Sequence, residues 1–417
     1  MKTTRLGRVA RTISGSGFPP SEQGATSGDL PFVKVSDLAL KANSFGVKTA
    51  VNWVSREQAV ALGARTVPAD SIIFPKVGAA LLGNARGRTR TALLIDNNMM
   101  AVVPTGVDRG FAYWWLRSVD MAQLSEGGTL PFVSDSAVRD LRVPLLPLEV
   151  QRRIAEFLDD RVARIDQIIA ARRQQAQRRS ELFLERARVL TTQGLVVETR
   201  ASGVPWMPRV GVCFRLWRVG QAFTTGSGTT PRSDKLEYYD GGIPWATTSD
   251  LRDRSEVVPP RSVTTRAIAD HSALPIYPAG TLLVAMYGAT VGRVGVLAVD
   301  ATVNQACCAL MSRGVVHPEY AFHWFVAHRP EIMALASGGG QPNISQDVVR
   351  SLRIPAPPWA EHLKIVVALR RLTDDANAAS STIETSTVLL AEYKQALITA
   401  AVTGELDVTT AGSGIPG

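Results

Sequence analysis

His317, His323 and His328 lie within 12 residues of one another, and imidazoles that close in sequence first suggest a metal ion. Their spacings of six and five do not share one helical face. The segment GATVGRVG at 288–295 is as rich in glycine as a phosphate loop but lacks the Lys-Ser/Thr that grips the phosphates and magnesium. There is no Asn-Pro-Pro-aromatic or Asp-Pro-Pro-aromatic tetrad to hold a flipped base for amino methylation. H-E-x-x-H and G-x-S-x-G are also missing. Cys213, Cys307 and Cys308 form an odd set with an adjacent pair, which is neither a disulfide framework nor a zinc spacing. Asp159–Asp160 and Asp374–Asp375 read as solvated helix faces or caps. The reactive residue types are present, but no catalytic set is, and that points to a binding protein.

The elements that carry these residues are written twice. LPFVKVSDL at 30–38 returns as IPWATTSDL at 243–251, 213 residues on. PADSIIFPKVG at 68–78 returns as PAGTLLVAMYG at 278–288, an offset of 210, and RDLRVPLLP at 139–147 as RSLRIPAPP at 350–358, an offset of 211. Weaker echoes keep the order: GSG at 15–17 and 226–228, Asn97 and Asn304, FAYWWL at 111–116 and YAFHWF at 320–325, Gly194 and Gly404. The last aromatic pair sets His323 against Trp114. A position that accepts Trp is a packed core site before it is a metal ligand, so no metal is expected.

Each copy has two parts. The first holds short β-like runs, SIIFPKV at 71–77, TALLIDN at 91–97, TLLVAMY at 281–287 and VGVLAVD at 294–300, punctuated by Gly, Pro and Asn. An aromatic helix follows, at 111–123 and 318–335. The second part begins after a proline-rich stop. In the second copy Ile365, Leu369, Leu372, Ala376, Ala379, Ile383, Ser386, Leu390, Tyr393 and Leu397 alternate steps of four and three, a heptad seam. In the first copy Ile154, Leu158, Val162, Ile165 and Ile169 begin the same way, ARRQQAQRRSE at 171–181 interrupts, and Phe183, Ala187 and Leu190 resume. The seams predict helices over about 148–193 and 359–402 that pair antiparallel with each other. The expected class is α+β: two repeated α/β domains, 1–146 and 217–357, two helical spacers, 147–195 and 358–404, a linker at 196–216 in which Trp206 anchors the second domain, and a tail at 405–417.

Of 417 residues, 45% are apolar and 20% charged, as in ordinary globular proteins. No apolar run reaches membrane-spanning length, and the first residues lack a secretory apolar region, so a cytoplasmic protein without a membrane partner is expected. Forty-six basic residues against 37 acidic ones give a net charge of +9, which suits a polyanion such as DNA.

The ordered set IPW-x3-SDL, PAGTLL, GATVGRVG, GGGQPNIS ending at 345, LRIPAPP, a long helix and ALITAAVTGELDV at 396–408 resembles the specificity subunit of type I restriction–modification enzymes. The first copy matches with drift: LPFVKVSDL, PADSIIF, GGTLPFVS at 127–134, LRVPLLPLEVQRRIAEFLD and VLTTQGLVV at 189–197. The resemblance covers nearly the whole chain. It implies two target-recognition domains, each reading one half of a split, asymmetric site in double-stranded DNA. It implies an antiparallel coiled coil that sets the gap and docks two modification subunits. No cofactor is expected on this chain. S-adenosylmethionine belongs to the adenine-methylating partners, and ATP with magnesium to a restriction and translocation subunit. The first copy departs at ALLGNARGRTRTAL, a longer and more basic loop than ATVGRVGVL in the second, which implies a different half-site.

DNA contacts are expected at strand ends and loops beside repeat-aligned glycines. In the first domain these are Lys34, Lys76, Arg86, Arg88 and Arg90. In the second they are Arg232, Lys235, Thr247, Tyr287 and Arg293. Gln341 and Asn343 suit a helix cap as well as a base. Ser36–Asp37 and Ser249–Asp250 recur in both copies, so they are expected to fix a turn. A coiled-coil scaffold whose repeats bind protein, and a self-contained methyltransferase or nuclease built on the same domain, remain alternatives. Binding of a random duplex pool and of a cofactor separates them.

Overall fold

A computed structural model describes residues 2–44, 46–126, 130–195, 198–336 and 342–408. The chain divides into two compact units, residues 1–172 with 385–417, and residues 173–384.

In the first unit, strand Thr3–Arg5 pairs antiparallel with Arg142–Pro144 and closes the globular part where the first long helix starts. The main sheet runs Ala10–Ser14, Met99–Pro104, Ile72–Pro75, Gly87–Arg88, all antiparallel. A smaller sheet runs Asn52–Val54, Leu30–Val33, Leu94–Ile95, its last pair parallel. The central strand is apolar throughout because both its faces are covered. Ile72 and Phe74 pack toward the aromatic helix Arg109–Ser118, and Ile73 packs toward Val33, Val47 and Ile95. Asp108 caps that helix by accepting from Phe111 N (2.9 Å).

The second unit repeats the scheme. Arg215–Arg218 pairs with Arg353–Ala356. The main sheet runs Phe223–Gly226, Cys307–Ser312, Leu282–Ala285, Val294–Leu297, Arg254–Val257, and the smaller one Ser262–Val263, Tyr239–Ala246, Thr302–Val303. The aromatic helix is Pro318–Ala327. Both aromatic helices are shorter than the sequence suggested. A 3-10 turn at Met121–Leu124 follows the first and a separate helix, Arg329–Met333, the second. The segment read as a linker forms a hairpin, Thr199–Val204 with Met207–Gly211, and buries Met207, Val210 and Phe214 in this unit's core. Trp206 sits 5.9 Å from Trp324 and 5.5 Å from His328, ring to ring.

The long helices span Leu148–Thr192 and Trp359–Thr403, 45 residues each. Within the first unit, Ile154, Leu158 and Val162 share a core with Ile398, Ala401 and Val402, while Lys394 Nζ reaches Asp166 Oδ1 (2.6 Å), so these halves run antiparallel. Within the second unit, Ala187 and Leu190 pack with Ile365, Leu369 and Leu372. The seam departs from the sequence reading at Tyr393, which is 57% exposed. There the buried face shifts to Ile398, Ala401 and Val402 because the helix also packs on the globular core. Residues 171–174 and 177–182 are exposed, in keeping with their polar character.

Two of the weaker echoes prove to be out of register. Asp96 N donates to Val33 O (3.0 Å) and Asn304 N to Ala246 O (2.9 Å). Asp96 Oδ1 accepts from Asn98 N (3.0 Å), and Asn304 Oδ1 accepts from Ala306 N (3.2 Å). Asn304 therefore corresponds to Asp96, and Gln305 to Asn97. Gly15 and Gly228 likewise correspond, since each lies two residues past the strand position, Ile13 or Gly226, that pairs with Ala101 or Ala309, and those alanines pair in turn with Ile73 and Leu283 of the central strands. Matching identical letters misses this because Asp and Asn build the same turn.

Candidate nucleic-acid interface

The recurring Ser-Asp pairs hold a tight turn after the smaller sheet's central strand. Asp37 accepts from Lys34 N (2.7 Å) and Val51 N (3.1 Å). Asp250 accepts from Thr247 N (2.8 Å) and from Arg261 Nη2 (3.1 Å). Thr247 is buried, and its hydroxyl is shared among Asp250, Ser249 and Arg261, so its side chain faces protein. Lys34, its counterpart, is half-buried, with Nζ on Gln23 Oε1 (2.6 Å) and 5.5 Å above the Phe18 ring. Arg261 is an exposed cation over Trp245 (5.6 Å) that sequence reading passed over. Its partners lie 11–14 residues away, so its pairing is a product of the fold.

The basic loop of the first unit is partly spent on itself. Arg86 donates to Asn84 O (2.8 Å) and to Val119 O, and burial, reinforced by Arg117, lowers its pKa to about 10. Arg88 pairs with Asp70 (2.9 Å), which also receives Arg109 (3.4 Å). Arg90 is exposed and lies across Gly46. In the second unit Arg232 grips Asp234 with two bonds (3.1 and 2.7 Å) on the surface. Lys235 lies 5.4 Å over Tyr238. Arg293 is exposed; its backbone bonds Thr290 and Ala285, and its side chain makes no hydrogen bond or ion pair among the described residues.

The remaining two candidates belong to one shared framework. Lys76 directly follows the central strand; its N donates to Asn98 O (2.8 Å) and its O accepts from Val133 N (2.9 Å). Met286 makes the same bonds, to Ala306 O (2.8 Å) and from Ile344 N (2.9 Å). Val77 bridges Phe132 as Tyr287 bridges Asn343. Gly78 and Gly288 then turn the chain at φ of 80° and 73°, a conformation that suits glycine. The backbone is the same in both units and the side chains differ: Lys76 against a buried Met286, Val77 against Tyr287, which is 41% exposed, and Phe132 against Asn343. Gln341 lies outside the described residues.

The histidines serve separate structural ends. His317 Nδ1 caps the aromatic helix by accepting from Glu319 N (3.3 Å). His323 is buried where Trp114 stands in the first unit, and His328 packs between Trp206 and Trp324. Among the described residues no three His, Cys, Asp or Glu side chains come close enough to hold a metal ion. Asp159 is not merely solvated, since its carboxylate accepts from Trp114 Nε1 (2.9 Å). No helix among the described residues is long and apolar enough to cross a membrane.

The family model of the type I restriction modification DNA specificity domain matches residues 1–178 and 214–385. The type I restriction enzyme MjaIX specificity subunit of Methanocaldococcus jannaschii is 30% identical over 152 residues. That match covers 35% of this chain and 35% of the relative, so it spans about a third of the relative's length. Among solved structures, one described as the basis of complex assembly and conformational transition of the type I R-M system aligns at a TM-score of 0.73 and 17% identity, covering 97% of this chain and 98% of that one. The HsdS subunit of Thermoanaerobacter tengcongensis aligns at 0.53 and 19% identity, over 97% of each chain. These two share the fold. With the family model matching both globular repeats and part of each long helix, the chain belongs to the type I restriction–modification DNA specificity family, whose specificity subunits are non-catalytic.

Proposed function

We propose that this chain reads a bipartite, asymmetric site in double-stranded DNA, one half-site per repeat, and positions two methyltransferase subunits on it. The observation that carries this reading is the duplicated framework with different outward side chains. A constant backbone docks the same way each time, and the differing side chains select different bases. The net charge of +9 suits a phosphate backbone. The paired long helices are suited to fix the gap between half-sites and to offer their outer faces to the modification subunits. S-adenosylmethionine binding and adenine methylation fall to those partners, and ATP-driven translocation and cleavage to a restriction subunit.

The test is to express the chain with its modification subunits and map methylated adenines by sequencing. A split motif with two unlike halves and a constant unread gap is the expected result. A continuous motif, or methylation that does not depend on this chain, overturns the reading.

A further inference from the structure

The corrected register brings two residues into correspondence that identity alone had kept apart. Asn97 and Gln305 occupy the tip of the turn that follows the smaller sheet's last strand in their respective units. Both are exposed. Each tip is fixed on both sides by the same backbone bonds. The preceding residue is held by the smaller sheet, from Asp96 N to Val33 O and from Asn304 N to Ala246 O. The following residue accepts from the strand end, from Lys76 N to Asn98 O and from Met286 N to Ala306 O, each at 2.8 Å. An Asx bond closes each turn from within.

A surface amide on a rigid tip can act as both donor and acceptor. That is the pattern that recognises adenine in the major groove, with its oxygen taking the N6 hydrogen and its nitrogen reaching N7. Gln305 is partly oriented already, since Oε1 accepts from Thr230 Oγ1 (2.7 Å) while Ser227 Oγ holds its carbonyl (3.2 Å). One Oε1 lone pair and both Nε2 hydrogens remain for a ligand. Asn97 makes no side-chain hydrogen bond among the described residues. The two amides differ by one methylene, so from matched backbones they reach different depths.

We propose that Gln305 and Asn97 are base-reading residues, each contacting an adenine of a different half-site. This rests on the bipartite reading above. The test uses the complete complex with its modification subunits and maps methylated sites for the native chain, Gln305→Ala, Asn97→Ala and Gln305→Asn. A bidentate amide–adenine pair discriminates roughly 5- to 150-fold between bases. Gln305→Ala is therefore expected to admit other bases at one position of one half-site, methylated to within about threefold of the original. Asn97→Ala is expected to do the same in the other half-site only.

Unchanged motifs for both alanine variants overturn the proposal, as do changes that fall in the same half-site. If Gln305→Ala abolishes methylation, Gln305→Asn decides. Methylation restored with a changed preference at one position supports the proposal. Restoration of the original motif, or none at all, overturns it. A native complex without a split motif refutes the bipartite reading instead, which keeps the two failures distinct.

Discussion

Asp250 illustrates how a residue common to both copies contributes without reading sequence. It holds a turn through the Thr247 amide and anchors Arg261. Removing it leaves donors without their acceptor, so Asp250→Ala should lower the stability of the second unit by about 1–3 kcal/mol. Thermal melting of the purified chain measures this. The buried histidines make a second prediction. His323, His328 and His362 each have a pKa lowered to about 4, chiefly by burial. Glu319 and Arg370 face His323 with opposed effects, Arg188 opposes a proton on His328, and His317 opposes one on His362. All three stay neutral in the folded chain down to about pH 4, whereas the unfolded chain takes up their protons near 6.5. Their contribution is therefore complete above pH 6.5 and is lost as pH falls toward 4. The same positions in the first unit hold Trp114, Val119 and Gln151, which do not titrate. Hydrogen-exchange protection over 318–328, corrected for the slower intrinsic exchange in acid, should fall on acidification before protection over 109–118 does, and His362→Gln should lessen the difference. Equal acid sensitivity of the two peptides counts against this account.

At the scale of elements, Ile398 is fully buried on the last turns of the second long helix, against the first unit's core. Ile398→Ala should cost that unit about 2–5 kcal/mol and leave exchange protection in residues 215–356 unchanged. Paired insertions of four residues, one after Ala376 and one in the facing stretch between Leu182 and Glu185, add about 6 Å of helix. The unread gap in the methylated motif should lengthen by one or two base pairs, with both half-sites unchanged. An unaltered gap rules out the helices as its ruler. The helices, strands and duplication were legible because periods of 2, 3.5 and 3.6 survive in one sequence. The shift of the seam at Tyr393 was not, because there the helix answers to a globular core and not only to its partner. The surroundings of the candidate contact residues were the least legible. Arg88 gave no sign that Asp70, 18 residues earlier, would take its guanidinium, nor Thr247 that its side chain would turn inward. The amides at Asn97 and Gln305 went unnoticed because Asn97 was set against the wrong neighbour, Asn304.

For the molecule as a whole, the proposed binding of duplex DNA by a chain of net charge +9 should weaken as salt rises. If 6–10 phosphates are contacted, raising salt from 50 to 200 mM should weaken binding by about 10³- to 10⁵-fold, with the same slope on cognate and scrambled duplexes apart from an offset. Titration of the complete complex by fluorescence anisotropy measures this, and a salt-independent affinity excludes a phosphate-dominated interface. The division into units has a different kind of consequence, one of timing. The first unit is not contiguous: its globular part lies within residues 1–172, but Ile398, Ala401 and Val402 complete its core. The second unit is one unbroken stretch, 173–384. On a ribosome adding about 5–20 residues per second, the first unit waits about 10–50 s after Val162 emerges before the residues that seal it exist. The half that begins first is thus finished last. Through that interval the side of this core that Ile398, Ala401 and Val402 cover stands open to solvent, to chaperones and to other nascent chains, and a stop codon after Glu384 should leave a chain with a protected second unit and an unsealed first one.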